Sequence, residues 1–359
     1  MSRLASRWPV AWLEPSRHWR EAPIAFHGHQ APVPAPEHPG LFIHPAEPWL
    51  PWTDGARRLR GALLAVRATR AAAHLRKLGC RKIVLYLWRP EFSGALGASH
   101  AFSVFHIDDD YAFQPTLPPP DPHEVRLIHR VGLVVVASPG LMDRKGRLNP
   151  NTLFLPNGVD FANYAKVRPC PNDLAVIARP RLGYAGFLKP QLDWGLLLAV
   201  AQYRPDWSLV LVGGANPVLE NDPSFQALRR QANVAFLGHR PTVDLPAYVQ
   251  HFDVCLMPYQ RTEYTDCIYP LKLHEYLAAG RPVVATPIRS LLEFSAVVRL
   301  ANGPMEWVEA CERALAAPAD HAARSGAVAT AREHDWSRLT ETLALRIESG
   351  VVPGMTDAS

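Results

Sequence analysis

The run Pro270-Leu-Lys-Leu-His-Glu-Tyr-Leu-Ala-Ala-Gly-Arg-Pro-Val-Val-Ala-Thr286 leaves few folds open to this chain. It reads as a loop, a short helix, a glycine stop and a strand. Gly280 stands where a helix ends, and Arg281-Pro282 blocks its continuation. Val283-Val284-Ala285 is unbroken apolar sequence, as expected of a strand buried on both faces of a parallel sheet. Lys272 and Glu275 sit three apart at the helix start and share one face. A lysine at a helix N-terminus, beside free backbone N–H groups, suits a diphosphate. A carboxylate one turn deeper suits ribose hydroxyls. Such a pair is what a nucleotide-sugar site needs; the plainer reading is an αβ unit with a surface Lys and Glu.

The same alternation runs along the chain. Apolar strands are expected at 9–13, 82–88, 101–107 and 132–137, then at 181–187, 208–212, 233–238 and 254–257. Helices are expected at 57–78, from about 122 to 129, at 193–203, 244–251, 304–316 and 320–333, with a last one from Trp336. Residues 15–56 are rich in Pro, His and Trp and read as loop with brief extended pieces. Strands alternating with helices imply doubly wound parallel sheets. With 359 residues the chain has room for two such domains, at ~150 residues each. The expected division is 1–168, 169–335 and a C-terminal helix with tail at 336–359, with a linker at 162–178.

Composition narrows the function classes. A hydrophobic fraction of 48% suits globular folding. The cysteines Cys80, Cys170, Cys255, Cys267 and Cys311 are scattered, odd in number and without a C-x-x-C pair. That argues against a zinc or disulfide framework and for a reducing cytoplasm. No run approaches the ~18 apolar residues of a membrane span, and no signal-peptide core is apparent. Net charge is +5, but residues 1–100 carry 14 Lys/Arg against 6 Asp/Glu, and the rest is slightly acidic. Part of the excess lies on Arg57, Arg58, Arg60, Arg67, Arg70, Arg76 and Lys77 in an Ala/Leu-rich helix. Such a face either is simply solvated or meets anionic lipid headgroups. Nucleic acid is disfavoured, because aromatic residues are not interleaved with the basic ones.

The 270–286 run resembles the donor signature P-x-K-x-x-E-Y-L-A-x-G-x-P-V-V of bacterial glycosyltransferases with the GT-B fold. Asn157-Gly-Val-Asp160, Tyr184-Ala-Gly186, Asp193-Trp194, Arg204-Pro-Asp-Trp207, Asn233-Val, Gly238 and Phe252-Asp-Val254 with Pro258 are similar to the same group. The likeness covers roughly 5–340. It implies two Rossmann-like doubly wound domains facing across a cleft, and sugar transfer from a nucleotide donor, uridine-linked by family habit, to a glycan or lipid-linked acceptor. It places the work at the inner face of the cell membrane, in exopolysaccharide or cell-envelope synthesis, and it calls for no metal or other cofactor.

The resemblance also assigns residues. Lys272 takes the diphosphate and Glu275 the ribose. Tyr269, Pro270 and Leu271 form the donor loop, with Tyr269 against sugar or phosphate. Gly186 allows close backbone approach to phosphate, and Gly213, Gly214, His239 and Arg240 lie where strand ends border the base. The acceptor hydroxyl needs a general base, for which Asp109 is preferred, then Asp110, with His106 as a rival. Capping or solvation of a strand end is the plainer account of Asp108-Asp109-Asp110. Three departures stand against the pattern. Cys267 occupies the first glutamate of an E-x7-E pair. Phe187 and Leu192 replace a basic pair, which Lys189 is placed to compensate. The chain also starts about where a first βα unit should already have passed. Inversion and retention both stay open, the aspartate favouring inversion. Two alternatives follow: a catalytically silent nucleotide-sugar-binding subunit, or a sugar-nucleotide epimerase of the same fold.

Overall fold

The computed structural model of the protein describes residues 1–15, 31–46, 57–110, 121–316 and 321–351. The chain divides into two compact units. The first comprises Met1–Ala137, Leu141–Leu155 and Thr340–Ser359, and the second Ser138–Gly140 and Pro156–Leu339.

The first unit holds two sheets. Strands β1 (Val10–Leu13), β2 (Val33–Ala35) and β3 (His38–His44) form the order β1-β3-β2. Strands β4 (Val84–Leu87), β5 (Phe102–Ile107), β6 (Leu133–Val136) and β7 (Thr152–Phe154) form a parallel sheet in sequential order. All four strands of the larger sheet follow one direction, and β2 pairs antiparallel with β3. The β6 run Leu133-Val-Val-Val136 is buried throughout, as an interior parallel strand requires. Residues 16–30 and 47–56, most of the expected loop region, lie outside the described residues, as does Tyr111.

The basic helix Arg57–Lys77 forms as expected, but its charge is not all on one solvated face. Arg67 is buried, and its guanidinium donates to the carbonyls of Glu14 (2.8 Å) and Pro45 (3.3 Å). Ala68, Ala71 and Ala72 are buried beside it. Arg67 thus ties the helix to the chain just beyond β1 and β3. The side chains of Arg57 and Arg58 lie outside the description.

The second unit is one six-stranded parallel sheet. Its strands are β8 (Arg181–Ala185), β9 (Ser208–Val212), β10 (Val234–Gly238), β11 (Val254–Met257), β12 (Val283–Ala285) and β13 (Arg299–Leu300). Their order is β10-β9-β8-β11-β12-β13, which reverses direction between β8 and β11. Trp194, Trp207 and Trp307 are fully buried around it. Each contributes on the order of 2–3 kcal/mol of apolar burial. Asp193 caps the helix Trp194–Tyr203 through Leu196 N at 2.8 Å. Asn233 donates to the carbonyls of Ala201, Arg204 and Trp207, tying that helix's exit to β10.

The expected linker at 162–178 is instead part of the second unit, whose boundary falls at Leu155/Pro156 rather than at 168/169. It contains the short helices Phe161–Ala165 and Asn172–Ala175. Gln250 Nε2 donates to the carbonyls of Tyr164 and Lys166, both at 2.7 Å. The Arg181 guanidinium binds the carbonyls of Ala175 (3.0 Å) and Ile177 (2.7 Å). Gln250 lies 86 residues from Tyr164, so local sequence gave no sign of that tie. The helix Trp336–Val351 begins in the second unit and passes into the first at Thr340. There Glu341 and Glu348 pair with Arg7 at 2.7 and 2.9 Å.

Candidate functional site

In an open parallel sheet the ligand crevice lies beyond the strand C-termini where strand order reverses. In the second unit that place is the end of β8 beside β11. There β8 gives way to Gly186 (φ +145°), and β9 to Gly213 (φ +151°). Gly186 N donates to Val212 O at 2.7 Å, and Gly213 N to Gly238 O at 2.9 Å. A Cβ on Gly213 would lie 2.0 Å from Gly186 O, and one on Gly186 would lie 2.1 Å from Lys272 Nζ. Only glycine fits at either position, and the Lys272 ammonium rests directly on the Gly186 peptide.

Lys272 opens the helix Lys272–Ala278, preceded by Leu271 as N-cap. Gly280 (φ +64°) closes it, with Gly280 N bonded to Leu277 O and Arg281 N to Tyr276 O. This double bond pattern is the glycine stop expected from the sequence. The helix has only seven residues, so the anion-binding weight falls on the lysine charge more than on a macrodipole. The ammonium sits 5.4 Å from the centroid of the Tyr184 ring. Desolvation pulls its pKa below the usual lysine value, and Glu275 works in the opposite direction. Desolvation raises the Glu275 carboxyl above its usual range, and Lys272 and the Tyr164 hydroxyl offset part of that rise. The two charges thus share a dry corner in which each is costly alone. An anion beside Lys272 would favour the charged form of the lysine.

The structure gathers some of the expected donor residues there and not others. Lys272, Glu275 and Gly186 come together, and Gly213 backs Gly186. Pro270 is buried and Leu271 is 43% exposed. Tyr269 is not open to a ligand through its hydroxyl. It is buried, with Oη 2.9 Å from His274 Nε2. Its carbonyl accepts from Asn157 Nδ2 at 2.8 Å, so it anchors the loop. Lys189 holds its ammonium 5.5 Å from the Tyr259 ring centroid. Phe187 is exposed and Leu192 is in the core. Gly214 accepts from Leu188 N at 2.9 Å and His239 is exposed. Arg240 is held by Asp173 (2.7 Å) and by the Tyr248 hydroxyl (2.9 Å). That clip fastens the Asn172–Ala175 helix to the end of β10 and explains its charge without a ligand.

In the first unit the acceptor-side candidates follow β5. Asp108 is exposed, Asp109 half-buried and Asp110 buried. Asp110 pairs with Lys145 at 2.9 Å and Arg144 at 3.4 Å, and Lys145 also holds Glu124 at 2.7 Å. A buried carboxylate locked between two cations is placed for structure, which corrects its ranking as a base. Asp109 Oδ1 accepts from Asp110 N at 2.8 Å. His106 lies 2.5 Å from the Tyr86 hydroxyl through Nδ1. Burial lowers its pKa to about 4, against the pull of Asp108, so its ring is neutral near pH 7. Among the described residues no three His, Cys, Asp or Glu side chains converge as a metal-ligand set, and no helix is long and apolar enough to cross a membrane.

Sequence reading missed Tyr164, Tyr184 and Tyr259, whose rings or hydroxyls form the walls around Lys272 and Glu275. Tyr184 was within a quoted motif. Tyr164 lay in the presumed linker and carried no signal.

Residues 179–317 match the family described as Glycosyl transferases group 1. TuaH of Bacillus subtilis (strain 168), named as a teichuronic acid biosynthesis glycosyltransferase, is 32% identical over 228 residues, or 60% of this chain and 56% of that protein. The chain thus spans about half the length of the curated relative it matches. Sucrose-phosphate synthase from Thermosynechococcus elongatus superposes with a TM-score of 0.72 at 15% identity, over 97% of this chain and 90% of that one. The UDP-forming α,α-trehalose-phosphate synthase from Burkholderia vietnamiensis gives 0.64 at 16% identity, over 95% and 91%. Likeness at this identity shows the fold, which is α/β with parallel sheets and of the GT-B type.

Proposed function

We propose that this chain, whose residues 179–317 match the group 1 glycosyltransferase family, moves a sugar from a nucleoside-diphosphate donor to a glycan acceptor in cell-envelope polysaccharide synthesis. The observation that carries the proposal is the Lys272 ammonium seated on the Gly186 peptide at the sheet's switch point, with Glu275 one turn on. Breaking the bond between sugar and diphosphate leaves negative charge on the leaving group. A preorganised cation in a desolvated corner stabilises that charge as it develops. In this reading Lys272 meets the diphosphate, Lys189 supplies a second positive charge, and Glu275 accepts from the ribose hydroxyls. Asp109 accepts the acceptor's proton. Uridine is the expected base, as in the UDP-forming relative by fold.

The finer reading is a lipid-linked acceptor met at the inner leaflet of the membrane. The helix Arg57–Lys77 exposes Leu59 (59%) and Val66 (44%) between basic residues that include Arg70, Arg76 and Lys77. Apolar side chains flanked by cations suit an anionic bilayer surface.

The donor reading is tested by thermal shift with UDP, GDP, ADP and TDP on the wild type and on Lys272→Ala. Ligand at ~100 times its dissociation constant adds roughly 2.7 kcal/mol of stability. A shift with one nucleotide that disappears in Lys272→Ala is expected. No shift with any of the four overturns the reading. Incubation with UDP-sugars then separates the alternatives: diphosphate release needs an acceptor if the chain is a transferase, whereas an epimerase remodels the donor alone.

A further inference from the structure

His274 stands between Lys272 and Glu275 on the same short helix but is directed into the core, where it is fully buried. Its ring lies 3.9 Å from that of His334, at an interplanar angle of 13°. The Tyr269 ring lies 5.7 Å from that of His274, at 23°, and shares the 2.9 Å hydrogen bond to Nε2. Phe294 meets the His274 ring edge-on at 5.4 Å and packs against His334 at 5.7 Å. Three distant segments converge on this array. His334 O accepts from Val159 N at 3.0 Å, and Trp336 N returns a bond to Val159 O at 3.0 Å. Asn157 reaches the Tyr269 carbonyl, and a Cβ on Gly158 would lie 2.6 Å from His334 O. Burial and the neighbouring His334 lower the His274 pKa to about 2, so the ring is neutral at any working pH.

A core that only needed volume is served by Leu or Phe. Here a directional hydrogen bond and a parallel ring stack fix the rotation of one two-turn helix. Successive residues of a helix are turned by ~100° about its axis, so the rotation that seats His274 also aims Lys272 and Glu275. We propose that the Tyr269–His274–His334 array positions the donor site, holding Lys272 on Gly186 and Glu275 toward Tyr164. The proposal rests on the nucleotide-binding reading given above, and His274 and His334 are positioning residues that touch no substrate.

The test is calorimetric titration of UDP, GDP, ADP and TDP at 25 °C, with the thermal midpoint measured in parallel, on wild type, His334→Ala and His334→Phe. His334→Ala removes the stack and is expected to weaken the preferred nucleotide about tenfold, the equivalent of ~1.4 kcal/mol, in protein that is still folded. His334→Phe keeps a ring in place and is expected to bind within about threefold of wild type. A purely structural role lowers the midpoint and leaves affinity unchanged in both variants, which overturns the proposal. If His334→Ala does not fold, Tyr269→Phe, which deletes one buried hydroxyl, takes its place, and unchanged affinity there likewise overturns it. Wild type that binds no nucleotide defeats the functional reading and this proposal with it. Wild type that binds, with variants that bind equally well, defeats the positioning role alone.

Discussion

A lysine held dry against a glycine peptide has a protonation state that depends on its ligand. Desolvation lowers the Lys272 pKa in the free protein, and in the proposed complex a diphosphate beside it would raise it again. Between those two values binding takes up a proton. Raising the pH through the alkaline range therefore weakens binding, by up to about tenfold per pH unit. Titration calorimetry from pH 7 to 10 is expected to show that decline in wild type. In Lys272→Arg the guanidinium stays charged, and the pH dependence should vanish even if geometry costs some affinity. A wild-type affinity flat across the range counts against the desolvated lysine. The acceptor side offers a second contrast between neighbours. Asp109→Asn is expected to lower kcat by about 10²-fold or more while leaving nucleotide affinity unchanged. Asp110→Asn is expected to lower stability by about 1–3 kcal/mol, because Lys145 and Arg144 lose a buried anion, with a smaller effect on kcat. Denaturant melts and steady-state rates on the pair decide it, and equal loss of kcat in both removes Asp109 from the role of base.

At the scale of elements, what the sequence revealed followed from local rules. The 270–286 run encodes its own stop, because Gly280 is needed at φ +64° and Pro282 cannot continue a helix. The buried runs Leu133–Val136 and Val254–Met257 could be read as interior strands from apolar continuity alone. The misreadings share a different cause. The 162–178 segment looks like linker because the carbonyls of Tyr164 and Lys166 find their partner on Gln250, which no local window contains. Arg67 looks solvated because its acceptors, the carbonyls of Glu14 and Pro45, lie 53 and 22 positions away. Asp110 looks like a base because its lysine lies 35 positions further on. Tyr269 follows the same pattern. Its motif position marked it for the site, while its hydroxyl is occupied by a histidine from the next turn. Of the candidate site, the pair Lys272 and Glu275 with Gly186 was legible from spacing and turn chemistry. The tyrosine walls were not, since an aromatic residue on a buried strand end looks the same whether it faces core or crevice.

For the molecule as a whole, the basic excess of the first 100 residues predicts an ionic-strength-dependent partner. Co-sedimentation with vesicles containing about a third phosphatidylglycerol is expected to retain the protein at low salt and release it near 0.5 M, where screening lengths fall to a few ångströms. Binding equal on neutral and anionic vesicles would discard the membrane reading of the helix Arg57–Lys77. Replacement of Leu59 and Val66 by Ser should weaken retention without moving the nucleotide response, because neither residue belongs to the second unit.

The first unit is also discontinuous: Thr340–Ser359 belongs to it although 156–339 intervene. During synthesis the second unit has all its residues before the first has its last helix. Until Glu341 and Glu348 emerge, Arg7 lacks both its anions. The half of the protein that is made first is therefore the half that is finished last, and a nascent chain arrested near residue 339 would carry every residue of the second unit and only part of the first.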